Sequence, residues 1–235
     1  MKLHQWLAVA ITTAFIAACS GGGGDAGVPA SNAPVTSTDT FQVKAAYVNY
    51  FNDTRSYPFT VSGTASGFSV TGSGTVTQSP VTNGLFEGAA VLQKTSTVSG
   101  SVVANGVTIS LAASDTTFVD SNYVAKGWSG EEYVVVTSVA VVPDTAKVND
   151  SGPWHTSNRY ADSSKSTLLG SSDVSFSLAP DTATTALLKI IQVDKDTVGN
   201  TTMTMTAVFR MTPAGGLTRL SETAVDGSST LTLTY

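Results

Sequence analysis

Thiols, imidazoles and charge are all scarce in this chain, and each scarcity excludes something. Cys19 is the one cysteine among 235 residues. No disulfide can form within one chain, so the fold must be held by packing and backbone ladders. Histidine occurs only at His4 and His155, and no Gly-x-Ser-x-Gly elbow surrounds any serine. A serine–histidine–acid arrangement would need its histidine beside both partners. His155 follows a Gly152-Pro153 turn and reads as an ordinary loop histidine rather than a general base. Most zinc sites need more than one histidine or thiolate, which would leave a metal to carboxylates alone. Charged residues make up 12% of the chain, 12 Lys+Arg against 17 Asp+Glu for a net charge of −5. Nothing basic clusters, so nucleic acid and anionic lipid surfaces are poor partners. The apolar run from Trp6 through Ala18 is shorter than the roughly 20 residues a spanning helix needs.

That run follows the cationic Lys2 and ends in Ile16-Ala17-Ala18-Cys19, the layout of an export signal. An aliphatic residue, two small residues and a cysteine: the tetrad resembles the lipobox of bacterial lipoproteins. Small residues let a peptidase approach an extended backbone, and a thiol is the nucleophile that accepts a diacylglyceryl group. An ordinary secretory peptide ahead of a free cysteine is the plainer alternative. The resemblance implies that residues 1–18 are a signal peptide, removed together with His4, and that lipidation at Cys19 anchors the chain to a membrane through acyl chains of the palmitate kind. In lipoproteins of this class an aspartate after the cysteine favours the inner membrane. Ser20 stands there instead, which implies the outer membrane, on either its periplasmic or its surface side. The mature portion is similar in style to envelope lipoproteins, a likeness that carries no function with it.

Residues 19–40 hold four consecutive glycines, then Pro29, Pro34 and a run of Ser and Thr. So little burial cannot offset about 1 to 2 kcal/mol of backbone entropy per ordered residue, and a flexible tether is expected. From residue 41 the chain turns to period-two alternation, and threonine and serine supply the polarity that charge does not. Phe41, Val43, Ala45 and Tyr47 read as a strand. Phe68, Val70, Gly72, Gly74 and Val76 share another strand face, where the glycines predict a bulky neighbour or a bend. Asn105-Gly106 and Asp226-Gly227 mark hairpins, and Leu187 to Val193 with Met203 to Met211 forms a third. Residues 144–172 are the longest irregular stretch, a functional loop, a disordered segment or a short helix. The fold class expected is all-β, antiparallel hairpins and meanders forming a sandwich or open barrel. Residues 41–235 make one large domain or two similar β subdomains, 41–128 and 129–235; faint likeness between residues near 76–98 and 176–198 would suit a duplication.

Candidates for chemistry are few. Glu131 and Glu132 are adjacent and would face opposite sides of a strand. Asp194 and Asp196 share a parity but read as turn residues, and Asp115 and Asp120 straddle a β-like stretch. None forms the carboxylate pair that glycoside cleavage needs. Asn149-Asp150-Ser151-Gly152 would hold a cation only with help from other loops. Tyr47, Tyr50, Phe51, Tyr57, Trp128, Tyr133, Trp154 and Tyr160 either line a groove for sugar or lipid or anchor a core. No catalytic residue, cofactor or metal site is therefore assigned. Two roles follow: a structural or protein-interaction module of the envelope, or a module that binds lipid or a small amphiphile in a half-open barrel. A carbohydrate-binding or hydrolytic role ranks behind both.

Overall fold

A computed structural model describes residues 36–140 and 142–235. The lipobox, Cys19 and Ser20 lie outside the described residues. The last part of the expected tether, residues 36–40, falls inside them; Ser37 is buried and its neighbours are exposed. One helix, α1 (Val43–Phe51), precedes strands β1 (Ser56–Ala65), β2 (Phe68–Gln78), β3 (Thr82–Phe86), β4 (Ala89–Ala104), β5 (Val107–Val119), β6 (Ala125–Ser129) and β7 (Tyr133–Val139). After these come β8 (Ser151–Tyr160), β9 (Leu168–Pro180), β10 (Ala186–Lys195), β11 (Thr201–Met211), β12 (Leu217–Asp226) and β13 (Ser229–Thr234). Twelve strands pair antiparallel in the order β10-β11-β12-β13-β1-β2-β4-β5-β6-β7-β8-β9, and β9 lies back along β10 to close a barrel. The boundary at 128/129 falls inside β6, which is hydrogen-bonded to β5 and β7 on its two sides.

Alternation sets the two faces of the wall. Phe59 and Val61, Val70 and Val76, Val98 and Val102, and Leu231 and Leu233 point inward and form one apolar cluster. Thr60, Ser62 and Thr64 of β1, Ser69 to Thr77 on alternate positions of β2, and Thr230, Thr232 and Thr234 of β13 occupy the other face. The outer wall thus carries hydroxyls where a lipid-spanning barrel carries an apolar band. Several of these hydroxyls meet across strands, as Thr223 and Thr232 do at 3.0 Å. The glycines behave as their position predicts: a Cβ on Gly74 would come within 2.6 Å of the Phe59 ring, and one on Gly72 within 2.7 Å of Val102. Asn105 and Gly106, with φ of 50° and 74°, make the β4–β5 hairpin turn.

Two expectations fail. The segment at 43–51 is a helix, not a strand. Val43, Ala46, Tyr47 and Phe51 are its buried residues, spaced i, i+3, i+4 and i+8. A nine-residue helix is marginal alone; here it lies against the barrel interior, packed with Val119, Trp128, Trp154, Leu188 and Phe209 among others. Residues 144–172 are not a loop either, since they contain β8 and the start of β9. A bulge between Pro153 and His155 turns Trp154 and His155 both to the buried side and erases the alternation that would have revealed the strand.

The β3–β4 hairpin lies over the outside of the wall. Phe86 stacks on Phe118 at 4.4 Å, and Glu87 at the tip accepts from Tyr133 at 2.7 Å and pairs with Lys165.

Candidate functional site

The helix end of the barrel is where charge enters the interior. Arg219 and Glu222 lie three apart on β12 and would face opposite sides of a regular strand. The register shift opposite Val208 and Phe209 leaves Leu220 without a counterpart on β11, and both charged residues turn inward. Arg219 Nε donates to Glu222 Oε1 at 2.6 Å, and Nη2 donates to the same oxygen. Burial works against the Arg219 charge, but the Glu222 carboxylate beside it more than restores it. Burial pushes the Glu222 carboxyl up, and Arg219 opposes the shift. The guanidinium also sits 4.3 Å from the centre of the Tyr235 ring.

Where α1 ends, Lys94 takes over its last carbonyls. Nζ donates to the Tyr50 carbonyl at 3.0 Å and to that of Asp53, placing a cation at the negative end of the helix dipole. Burial lowers its pKa to about 8. Just beyond, Asp53 grips Arg55 through two N–H groups, Nε at 3.0 Å and Nη2 at 2.7 Å, and accepts from the Tyr57 hydroxyl. Partial burial works against the Asp53 charge, yet these hydrogen bonds bring its pKa down to about 2.

These groups converge on one cavity of about 390 Å³, lined by Asn49, Tyr50, Asp53, Arg55, Tyr57, Phe209, Gly216, Leu217 and Arg219. It lies beside the top of β13, which reaches only to Thr234, level with Ser221 of β12 and Thr60 of β1. Tyr50 and Phe209 set their rings edge to face at 5.5 Å, and Arg55 lies 5.5 Å from the Tyr57 ring centre. Two guanidinium groups therefore share the cavity, each with one edge fixed by its own carboxylate. Arg219 Nη1 is buried without a hydrogen-bond partner. Arg55, two-thirds exposed, has Nε and Nη2 on Asp53. Pre-oriented guanidinium N–H groups of this kind match a carboxylate or phosphate.

A second, more apolar recess of about 240 Å³ lies between Tyr47, Tyr123, Val139 and Trp154. Another buried polar group joins β8, β9 and β10 to Glu132. Arg159 binds Glu132 through two N–H groups at 2.8 and 2.7 Å and lies 3.5 Å from Asp194, which also accepts from Ser172 and Gln192. Burial raises the Asp194 carboxyl despite Arg159.

Of the residues singled out from sequence, Tyr50 and Tyr57 line the larger cavity, while Tyr47, Phe51, Trp128 and Trp154 belong to the core. His155 is not a loop histidine: it is buried in β8. Asp194 is not a turn residue; it faces the interior of β10, while Asp196 accepts from Val198 and Asn200 in the following turn. Asp120 holds the Asn122 and Val124 amides and Lys126. Asp150 accepts the Lys147 amide. Among the described residues no three His, Cys, Asp or Glu side chains gather as metal ligands would. Arg55, Arg219, Asn49 and Phe209 were not legible as a set, because the end of α1 and the β11–β12 hairpin, far apart in sequence, bring them together. No family model, curated protein or solved structure matches the chain.

Proposed function

We propose that this chain is a lipid-anchored binding module of the cell envelope, whose barrel offers the cavity at the end of α1 to a small ligand bearing an anionic group. The observation that carries this is the pair of guanidinium groups, Arg55 and Arg219, on the lining of one cavity, each held by its own carboxylate. Their carboxylate partners orient them in advance, which lowers the ordering cost of binding. Tyr50, Tyr57 and Phe209 offer the body of the ligand an aromatic wall. Small size is argued by the filling of the barrel: α1 and the inward side chains occupy the space that a long acyl chain would need. A small amphiphile with an anionic head fits the reading; a whole lipid does not.

The tetrad ending in Cys19, with Ser20 after it, supports attachment to the outer membrane. Cys19→Ala should release the protein from the membrane fraction, and firm association unchanged by that substitution would contradict the anchor. For the cavity, titration calorimetry with benzoate and phosphate, and with uncharged benzamide as control, is the direct test. Both anions are expected to bind, benzamide is not, and Arg55→Gln should weaken the anions by about tenfold. Equal binding of benzoate and benzamide, or anion binding indifferent to Arg55→Gln, would overturn the reading.

A further inference from the structure

β5 is hydrogen-bonded to β4 along its whole length, from Leu92↔Val119 to Ala104↔Val107. On its other side β6 meets it only from Thr116 to Val119. Among the described residues, 107–115 therefore have a strand on one side alone. The turn at Asn105-Gly106 makes Ala104 and Val107 the closing hydrogen-bonded pair of a two-residue hairpin. Antiparallel alternation from that pair commits the main-chain groups of Val107, Ile109, Leu111 and Ala113 to β4. Those of Thr108, Ser110, Ala112 and Ser114 point away from it. All four of these residues are exposed.

Natural edges are blunted by charge, proline, bulges or cover. Residues 107–114 have no charge and no proline, and their register with β4 runs without a shift. The flanking side chains are apolar, with Val107 at 60% and Val103 at 41% exposure at the tip of the same hairpin. Such an edge is a template for strand addition.

We propose that residues 107–114 of β5 are the docking site for an extended segment of a partner protein, which adds to the barrel as a further strand. The segment that fits is uncharged or basic and alternates apolar with small polar residues. It would give the outward amides and carbonyls their partners and lay its apolar side chains beside Val107 and Ile109, which share one face of β5. A basic flank is favoured by the net charge of −5 on this chain. A second copy suits the site less well. Eight residues of strand are about 27 Å long and about 10 Å deep. Edge-to-edge contact between two rigid barrels would then bury about 300 Å² on each, well below the roughly 800 Å² per partner of a stable dimer. The chain's own residues 20–35 suit it no better, because Pro29, Pro34 and a glycine run oppose strand pairing. This site is independent of the anion cavity, and neither proposal depends on the other.

The test is amide hydrogen exchange on the full-length protein, alone and with a synthetic ten-residue peptide of alternating threonine and valine flanked by lysines. In the free protein the amides of Ile109, Leu111 and Ala113 should be protected and those of Thr108, Ser110, Ala112 and Ser114 should exchange fast. Peptide should slow the second set at least tenfold. Ala112→Pro removes one outward N–H without touching the β4 ladder, so it should abolish that effect while Ile109 and Leu111 stay protected. Three results would overturn the proposal: outward amides already slow in a monomer, no added protection at millimolar peptide, or a concentration-dependent dimer that Ala112→Pro converts to monomer. The last would assign the edge to a second copy of this chain.

Discussion

Acid should weaken this fold through the buried His155, over a range above that of its carboxylates held low. His155 lies in β8 with 4% of its surface exposed, Trp128 stands 6.1 Å away, and neither ring nitrogen has a hydrogen-bond partner. Burial alone brings its pKa from 6.5 down to about 3. The unfolded chain takes up a proton near pH 6.5 and the folded chain only near pH 3, so between those values the unfolded state binds more protons. Stability from this residue is complete above pH 6.5 and is lost as pH falls toward 3. The slope is about 1.4 kcal/mol per pH unit, and the full window is worth at most about 5 kcal/mol. A domain has about 5–15 kcal/mol in total, so the effect is large. His155→Leu removes both buried nitrogens and should leave stability at pH 7.5 unchanged or higher. Urea midpoints for both proteins at pH 7.5, 6.5, 5.5 and 4.5 measure the difference. Asp53, held low by its hydrogen bonds, and Asp194 and Glu222, raised by burial, titrate in both proteins and cancel in the comparison. The wild type should lose ground steadily against the variant below pH 6.5; parallel profiles would refute the argument.

Other expectations are simpler. Gly74→Ala would drive a Cβ against the Phe59 ring and the Ser99 carbonyl, at 2.6 and 2.4 Å. It should cost about 1–3 kcal/mol in chemical denaturation, and a neutral result would mean the wall yields there.

Hairpins were legible because their chemistry is local. Asn105, Gly106 and Gly227 have the positive φ their turns need, and the alternation of Met203 to Met211 survives intact in β11. Elements that depend on distant partners were not. Residues 43–51 satisfy period two and the helical spacing together, and only the hollow of a barrel decides between them. β8 hides behind its bulge, and the aspartates illustrate the same limit: Asp194 resembles its turn neighbour Asp196, although Ser172, Gln192 and Arg159 give it a buried site. For the cavity, the sequence supplied Tyr50 and Tyr57 among eight candidate aromatics. Arg219 and Glu222 face one way only because of the bulge at Leu220. The one available signal was the scarcity of charge itself, since an arginine in a Thr-rich strand of such a chain is conspicuous.

The cavity is best tested by mapping amide shifts of the isotope-labelled protein during titration with benzoate. Saturable shifts are expected at Asn49, Arg55, Gly216 and Leu217, with Tyr123, Val124 and Ala140 beside the smaller recess unmoved, and Arg55→Gln should shift the curve to higher concentration. Shifts centred on that recess, or none at the four cavity amides, would contradict the account.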